Sequence, residues 1–385
     1  MENTRIRISL IQENEEDKWD SYVLSHPLGT CYHLSAWRRA VEKTYGHRTF
    51  YIVAENKDAR VSNIPDSPAK IVGLLPLIHI RHFLLGNCLV SLPFCDYGGI
   101  LADDSDIEIR LLSRAIELSK ELKTGTLELH QIKPVDLPLA GSDVPPGINP
   151  RALGNDEQDR CYKGLVNKTH KVRMSLSLPS SSEQLWSSFK AKLRSQIKKP
   201  MKEGLVAKIG GTEFLEDFYK VFSINMRDLG SPVHAKQFIE EVLLEFAGLA
   251  KLGVVYKGNS AMAGGLIIIF GNSVYIPWAS SLREYNHLRP NMMLYWELLK
   301  YASDNGYARF DFGRSSPDGG TYKFKEQWGA VPSPIYWQYW LRDGGRAPGM
   351  DSTNSKFQWA IKLWQKLPVG LTKVIGPRIR KYIWL

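Results

Sequence analysis

Between Phe310 and Gly329 the chain gathers a carboxylate (Asp311), a guanidinium (Arg314) and two ammonium groups (Lys323 and Lys325). A β-prone run from Ala308 to Phe312 ends at Gly313, and a Ser-Pro-Asp-Gly-Gly loop follows. The Lys/aromatic alternation Tyr322-Lys323-Phe324-Lys325 then predicts a second strand. Loops held between rigid elements are where binding and chemistry concentrate, and groups of these types bind and balance charge. No His/Cys/Asp cluster has the spacing of a metal site, so no metal is required. Neither a Ser-His-Asp order nor a Gly-x-Ser-x-Gly elbow points to a hydrolase. Composition alone leaves a second reading open, a β-hairpin with a solvated charged face.

The elements around this stretch occur twice. In the first half, apolar runs at Ile71 to Ile80 and Leu89 to Leu101 precede a helical pattern from Asp106 to Lys123. In that pattern Ile107, Leu111, Ala115, Leu118 and Leu122 share one face, and a strand follows from Thr126 to Ile132. In the second half, turns at Gly258-Asn259 and Gly271-Asn272 divide a three-strand meander. A helix follows from Pro290 to Asn305, with proline in its first turn, and Ala308 to Phe312 is the next strand. Strand–strand–helix–strand therefore appears in both halves, which predicts an α/β fold with mixed sheets. The Pro/Gly/Asp-rich segment from Lys133 to Asp159 reads as a long loop or linker. The expected organisation is two domains, 1–150 and 151–345, with a tail over 346–385. After the linker, Ser180 and Glu183 predict a capping box for a helix ended by Pro200. Further helices are expected near Glu213 to Phe222 and Lys236 to Phe246.

A chain of 385 residues exceeds what one core usually serves. With 43% hydrophobic and 23% charged residues it is an ordinary folded protein. Four scattered cysteines form no Cys-x-x-Cys pair, which fits reduced thiols. The N-terminus lacks a signal-peptide apolar region, and no apolar run approaches the ~20 residues of a membrane span. The expected location is cytoplasmic. The net charge is +10, and seven bases with no acid lie from Ser352 onward; without them the rest carries +3.

The residues at the joints of these elements resemble the FemABX peptidyltransferase family, which is built from two GNAT-like domains. The resemblance covers nearly the whole chain. It rests on Phe310-Asp-Phe-Gly with the later Phe324-Lys325, on Ser195-Gln-Ile-Lys-Lys-Pro, and on Ser91-Leu-Pro-Phe-Cys-Asp96-Tyr97. The last wording, with Met226-Arg-Asp-Leu-Gly-Ser-Pro-Val-His234, is closer to FemAB-related proteins of exosortase/PEP-CTERM and exopolysaccharide systems.

The resemblance implies transfer of an aminoacyl group from aminoacyl-tRNA, or of an acyl group from acyl-CoA, to an amine of a cell-envelope precursor. No tightly held cofactor is expected. Lys325 matches a lysine that stabilises the oxyanion of the tetrahedral intermediate, and Asp96 matches an acceptor-site aspartate. Lys43, downstream of Trp37, is implied as a phosphate ligand, with a spacing two residues off the family's. The family's second phosphate-binding arginine falls near His234. Tyr97, Trp278, Asn291, Asp311, Arg314, Tyr322 and Lys323 complete the candidate substrate-binding set. The segment from Leu282 to Asn291 has no glycine where the GNAT fold binds pyrophosphate, which argues against CoA there.

Two basic segments bear on partners. The helix around Lys190 to Lys202 offers six bases for a tRNA acceptor stem, or else a solvated face. The tail combines its seven bases with Trp359, Leu363, Trp364, Leu367, Leu371, Ile375, Ile379 and Trp384. Such segments contact anionic membranes, here over residues 356–385 on the inner face of the plasma membrane. That fits a lipid-linked envelope precursor as acceptor, a nucleotide-linked one being the other form; the tail could instead pack on the second domain. The rival functions are an acyl-CoA-dependent N-acetyltransferase, a membrane-associated assembly factor without catalysis, and an RNA-binding module.

Overall fold

The computed structural model describes residues 6–11, 13–60, 69–82, 86–135, 161–162, 165–342 and 355–384. Most of the predicted linker and the boundary at 150 lie outside them. The first half runs β1 (Ile6–Leu10), α1 (Glu16–Ser25), α2 (Ser35–Tyr45), β2 (Arg48–Arg60), β3 (Ala69–His82), β4 (Gly86–Val90), β5 (Leu101–Ala102), α3 (Ser105–Glu121) and β6 (Thr126–Gln131). The second runs β7 (Cys161–Tyr162), β8 (Leu165–Ser177), α4 (Ser182–Ser188), α5 (Ala191–Lys202), β9 (Val206–Gly210), α6 (Leu215–Leu229), α7 (Lys236–Glu245), β10 (Ala250–Lys257), β11 (Ser260–Phe270), β12 (Ser273–Ser281), α8 (Pro290–Asp304), β13 (Arg309–Ser315), α9 (Gly320–Glu326) and β14 (Val331–Leu341). The tail forms α10 (Ser355–Gln365) and α11 (Val369–Arg380).

The strands make one mixed sheet in the order β1-β2-β3-β4-β6-β14-β8-β13-β12-β11-β10-β9, with β5 on β3 and β7 on β8. The repeated unit is present in both halves. Each half contains one parallel contact, β4 with β6 and β12 with β13, and each contact holds for three residue pairs. Beyond it the strands part, and the turn that follows β4 meets the end of β13 there.

Side-chain parity along the strands sorts the core, with one reversal in β3 where the register shifts at Val72. Ile71, Leu74 and Ile78 of β3, with Leu252 and Val254 of β10, join the α1, α2, α6 and α7 side chains in one cluster shared by both halves. On the other face, Val72, Leu75 and Leu77 pack under α3, and Val255, Ile267 and Ile269 pack near α8. The halves thus share a continuous core as well as a sheet.

Three local expectations are corrected. Tyr322 to Lys325 is helical, not a strand: Phe324 meets Trp328 four residues on, at 6.2 Å between ring centroids, a helical spacing. The helix after the linker is two, broken at Phe189. Its cap is Ser181, whose hydroxyl accepts from Gln184 N, and Pro200 lies inside α5 instead of ending it. The apolar run at Leu89 to Leu101 is strand only to Val90 and again at β5. Between them lies a turn with Leu92 and Phe94 at positive φ.

Candidate functional site

Asp96, on the turn after β4, faces Gly313-Arg314, on the end of β13. Its Oδ2 accepts from the Arg314 backbone N–H at 3.0 Å, and its Oδ1 lies 3.2 Å from Arg314 Nε. Gly313 has φ +72, and a Cβ there would collide with Asp96 Oδ2. The glycine that ends the Phe-Asp-Phe-Gly strand therefore makes room for the carboxylate.

Lys325 comes to the same place from α9. Its Nζ donates to Arg314 O at 2.7 Å, and the residue is only 7% exposed. Burial brings its pKa down to about 8, against the pull of Asp96 and Asp311. One of its three N–H donors is used by that carbonyl. Arg314 stacks its guanidinium over Trp337 at 5.4 Å, and its buried Nη1 has no partner among the described residues. An ammonium and an unfilled guanidinium N–H thus stand beside a carboxylate at the junction of the halves. Such donors, desolvated, can receive a developing oxyanion.

Below them a buried knot holds the halves in register. Asp311 accepts from Arg173 Nε at 2.5 Å, from the Gly313 N–H at 2.7 Å, and from the Tyr97 hydroxyl. Burial and the Asp311 charge push the Tyr97 phenol well above its usual range, so it stays protonated and donates. Tyr97 and Asp311 therefore touch each other, bridging the two halves beneath the Asp96–Arg314 contact.

The remaining candidates separate. Trp278 stacks on Trp37 at 6.0 Å and lies 5.4 Å from the His234 ring. His234 is buried and neutral, its pKa held far below the usual value first by burial and then by Arg380. Its Nδ1 meets Tyr45 Oη at 3.0 Å, and its Nε2 accepts from Arg380 Nε at 3.1 Å. A guanidinium from the tail thus lies against the His234 ring. Lys43 is 54% exposed and paired with Glu245 at 2.5 Å and Glu241 at 3.7 Å, tying α2 to α7. Lys323 is exposed on α9 and, with Lys190 and Lys192, lines a cavity of about 590 Å³ floored by Phe189 and Trp328. Tyr322 packs on the second-half core, and Asn291 is the second residue of α8. The turn before α8 places Arg289 at φ +59, a left-handed position without glycine.

Sequence reasoning missed Arg173, Arg380 and Trp384. The first sits in a strand that no motif marks. The other two belong to the tail, whose composition reads as surface-seeking. Trp384 Nε1 donates to Glu128 Oε2 at 2.7 Å, and its carbonyl accepts from Phe94 N at 3.0 Å.

The acetyltransferase (GNAT) domain family matches residues 187–326. Lipid II:glycine glycyltransferase of Staphylococcus epidermidis RP62A is 23% identical over 388 residues, covering 82% of this chain and 88% of that one. The protein of the same name from Staphylococcus aureus COL is 22% identical over 395 residues with the same coverage. The crystal structure of FemX superposes with a TM-score of 0.61 at 17% identity, over 94% of this chain and all of that one. The C-terminal domain of a putative lysylphosphatidylglycerol synthetase from Agrobacterium fabrum superposes at 0.51 with 10% identity, over 85% of this chain and 92% of that one.

Proposed function

We propose that this chain, similar along most of its length to lipid II:glycine glycyltransferases and to FemX and matching a GNAT domain over residues 187–326, transfers an aminoacyl group to an amine of a lipid-linked cell-envelope precursor. The observation that carries the reading is the desolvated Lys325 ammonium held beside Asp96 and Arg314 where the halves meet. The acceptor amine attacks the donor carbonyl, and negative charge grows on its oxygen. Lys325 Nζ, with Arg314 Nη1, receives that charge, while Asp96 orients the amine and balances the positive charge it gains. The transferred acyl carbon loses its bond to the donor's ribose oxygen, which leaves with a proton.

The donor reading rests on charge. The cavity rimmed by Lys190, Lys192 and Lys323 adjoins α9, and Arg194, Lys198, Lys199 and Lys202 line a neighbouring groove of about 430 Å³. These suit the phosphates of a tRNA end. The α8 turn offers no glycine for a pyrophosphate, which weighs against CoA. On the acceptor side, Lys43 is engaged by Glu241 and Glu245, and His234 is neutral. Neither is free to hold an acceptor phosphate; the lipid-linked acceptor, in a peptidoglycan or exopolysaccharide setting, is favoured instead by the exposed apolar and basic face of the tail. Among the described residues no helix is long and apolar enough to cross a membrane. Access to that acceptor comes through peripheral contact by the exposed face of the tail, around Trp359, Leu363, Leu371 and Val374, from the cytoplasmic side.

The test incubates purified protein with radiolabelled aminoacyl-tRNA, or with acetyl-CoA, and with lipid II or a nucleotide-linked muropeptide. The expected product is an aminoacylated lipid II, identified by mass and absent with Lys325→Met. Transfer from acetyl-CoA alone, or full activity of the variant, would overturn the reading.

A further inference from the structure

One face of the tail is occupied. Gln365 Nε2 donates to Asp228 O at 3.0 Å and Arg227 Nη1 to Leu367 O at 3.3 Å, so the tail lies along the end of α6. Thr372 and Gly376 of α11 are buried, and a Cβ on Gly376 would press on the Val233 backbone. From there the chain runs to the site. Arg380 bonds His234, the Lys381 carbonyl meets His47, the Tyr382 ring packs on His82, and Trp384 holds both Glu128 and the Phe94 amide. Phe94 and Leu92 have φ of +68 and +45. Non-glycine residues persist in that region only where surrounding contacts over-determine them. The turn that carries Asp96 is strained, and the Trp384 carbonyl is one of the contacts that hold it.

The opposite face is bare. Trp359 and Leu363 of α10 lie one turn apart, as do Leu371 and Val374 of α11. All four are exposed, Trp359 by 67% and Val374 by 57%. Lys362, Lys366 and Arg378 are exposed around them, while the Lys373 ammonium lies over the Tyr219 ring at 5.3 Å, and no acid occurs from Ser352 to Leu385. An apolar strip crowned by tryptophan, with bases and no acid along the tail that carries it, is complementary to an anionic bilayer surface, where apolar burial and charge act together.

We infer that the tail is a two-sided bracket: its outer face docks on an anionic bilayer, and its inner end transmits that docking by steadying the turn that carries Asp96. The inference rests on the acceptor-site reading of Asp96. A surface that binds the docked tail more tightly than the released one raises the population of the docked state, and with it the population of ordered turn. Membrane contact then orders the acceptor side of the cleft at the place where a lipid-linked amine is presented.

The experiment uses the full chain with vesicles of phosphatidylcholine containing phosphatidylglycerol, and with pure phosphatidylcholine. Co-sedimentation is expected with the anionic vesicles only, weakened roughly tenfold or more in Trp359→Ser/Leu363→Ser, whose positions are on the open face. Hydrogen exchange at the amides of residues 92–97 is expected to slow on anionic vesicles. A chain lacking residues 384–385, and with them the carbonyl that receives the Phe94 amide, is expected to bind vesicles like the parent but to show no slowing there. Absence of selective binding overturns the inference. So does binding that leaves the turn's exchange unchanged in the parent. Neither readout requires transfer, so a failed transfer assay beside a slowed turn would sink the enzymatic reading and leave the bracket standing.

Discussion

Lys325 is an ammonium kept in a place that disfavours its charge. Its folded-state pKa of about 8 lies below the ordinary 10.5, a difference worth about 3 kcal/mol at ~1.4 kcal/mol per unit. The charged form is therefore disfavoured by folding, and the stability contributed by this residue is lowest below pH 8 and improves as pH rises toward 10.5. Transfer runs the other way. If the ammonium receives the oxyanion, the rate falls as pH climbs through about 8, and a pH–rate profile flat to pH 10 would exclude that role. Lys325→Met removes both the costly charge and the hydrogen bond to Arg314 O, effects of opposite sign. Its melting temperature should stay close to the parent's while transfer drops ~10²-fold or more. Calorimetry beside a single-turnover assay separates the two. Gly313 makes a second test at this scale. Alanine at φ +72 costs about 1–2 kcal/mol from backbone conformation alone, and its Cβ would meet Asp96 Oδ2. Gly313→Ala should therefore raise KM for the acceptor more than for the donor; equal effects on both would separate Gly313 from Asp96.

At the scale of elements, the strand–strand–helix–strand unit was legible because hydrophobic periodicity and glycine turns mark it in each half. The charged residues of Phe310 to Gly329 were legible as a group, and the structure does bring Asp96, Arg314 and Lys325 together. What pairs the halves was not legible. In β14, Pro332 and Pro334 argue against a central strand. Their stretch is paired on one side only, with β8, and β6 joins from Tyr336 onward. The missing N–H groups thus fall on the open side. The Tyr322–Lys325 alternation misled because four residues fit a strand and a helical turn alike. The tail's inner contacts were hidden because an amphipathic pattern states that a face is buried, not what buries it. The Arg173–Asp311 pair joins β8 to β13 with both side chains largely buried. Removing one partner of such a pair costs about 3–5 kcal/mol. Arg173→Met should lose that much in urea unfolding, and Arg173→Met/Asp311→Asn should recover part of it. A double variant no better than the single would show that the charge pairing is not what stabilises the joint.

Across the whole molecule, the first-half and second-half sheets are one sheet, because β14 pairs with β6 on one edge and β8 on the other. They also share one core cluster, in which Trp37 packs against Phe238 and Trp278, and a buried bridge from Tyr97 to Asp311. Two lobes joined only by a linker would unfold as two units with an ordinary polar interface between them. A shared sheet and core leave little to be gained by opening one lobe first, since doing so exposes the apolar face of the other. Unfolding in urea should therefore be one cooperative transition. Tryptophan fluorescence, with reporters in both halves and the tail, should coincide with far-ultraviolet circular dichroism. Because both halves open together, the denaturant slope should match that of one large unit, as it scales with the surface exposed. Two resolved transitions in the parent chain would mean that the halves hold themselves up separately. The relation of Asp96 to Lys325 would then be set by a movable hinge, and no longer by the continuous sheet from which their geometry follows.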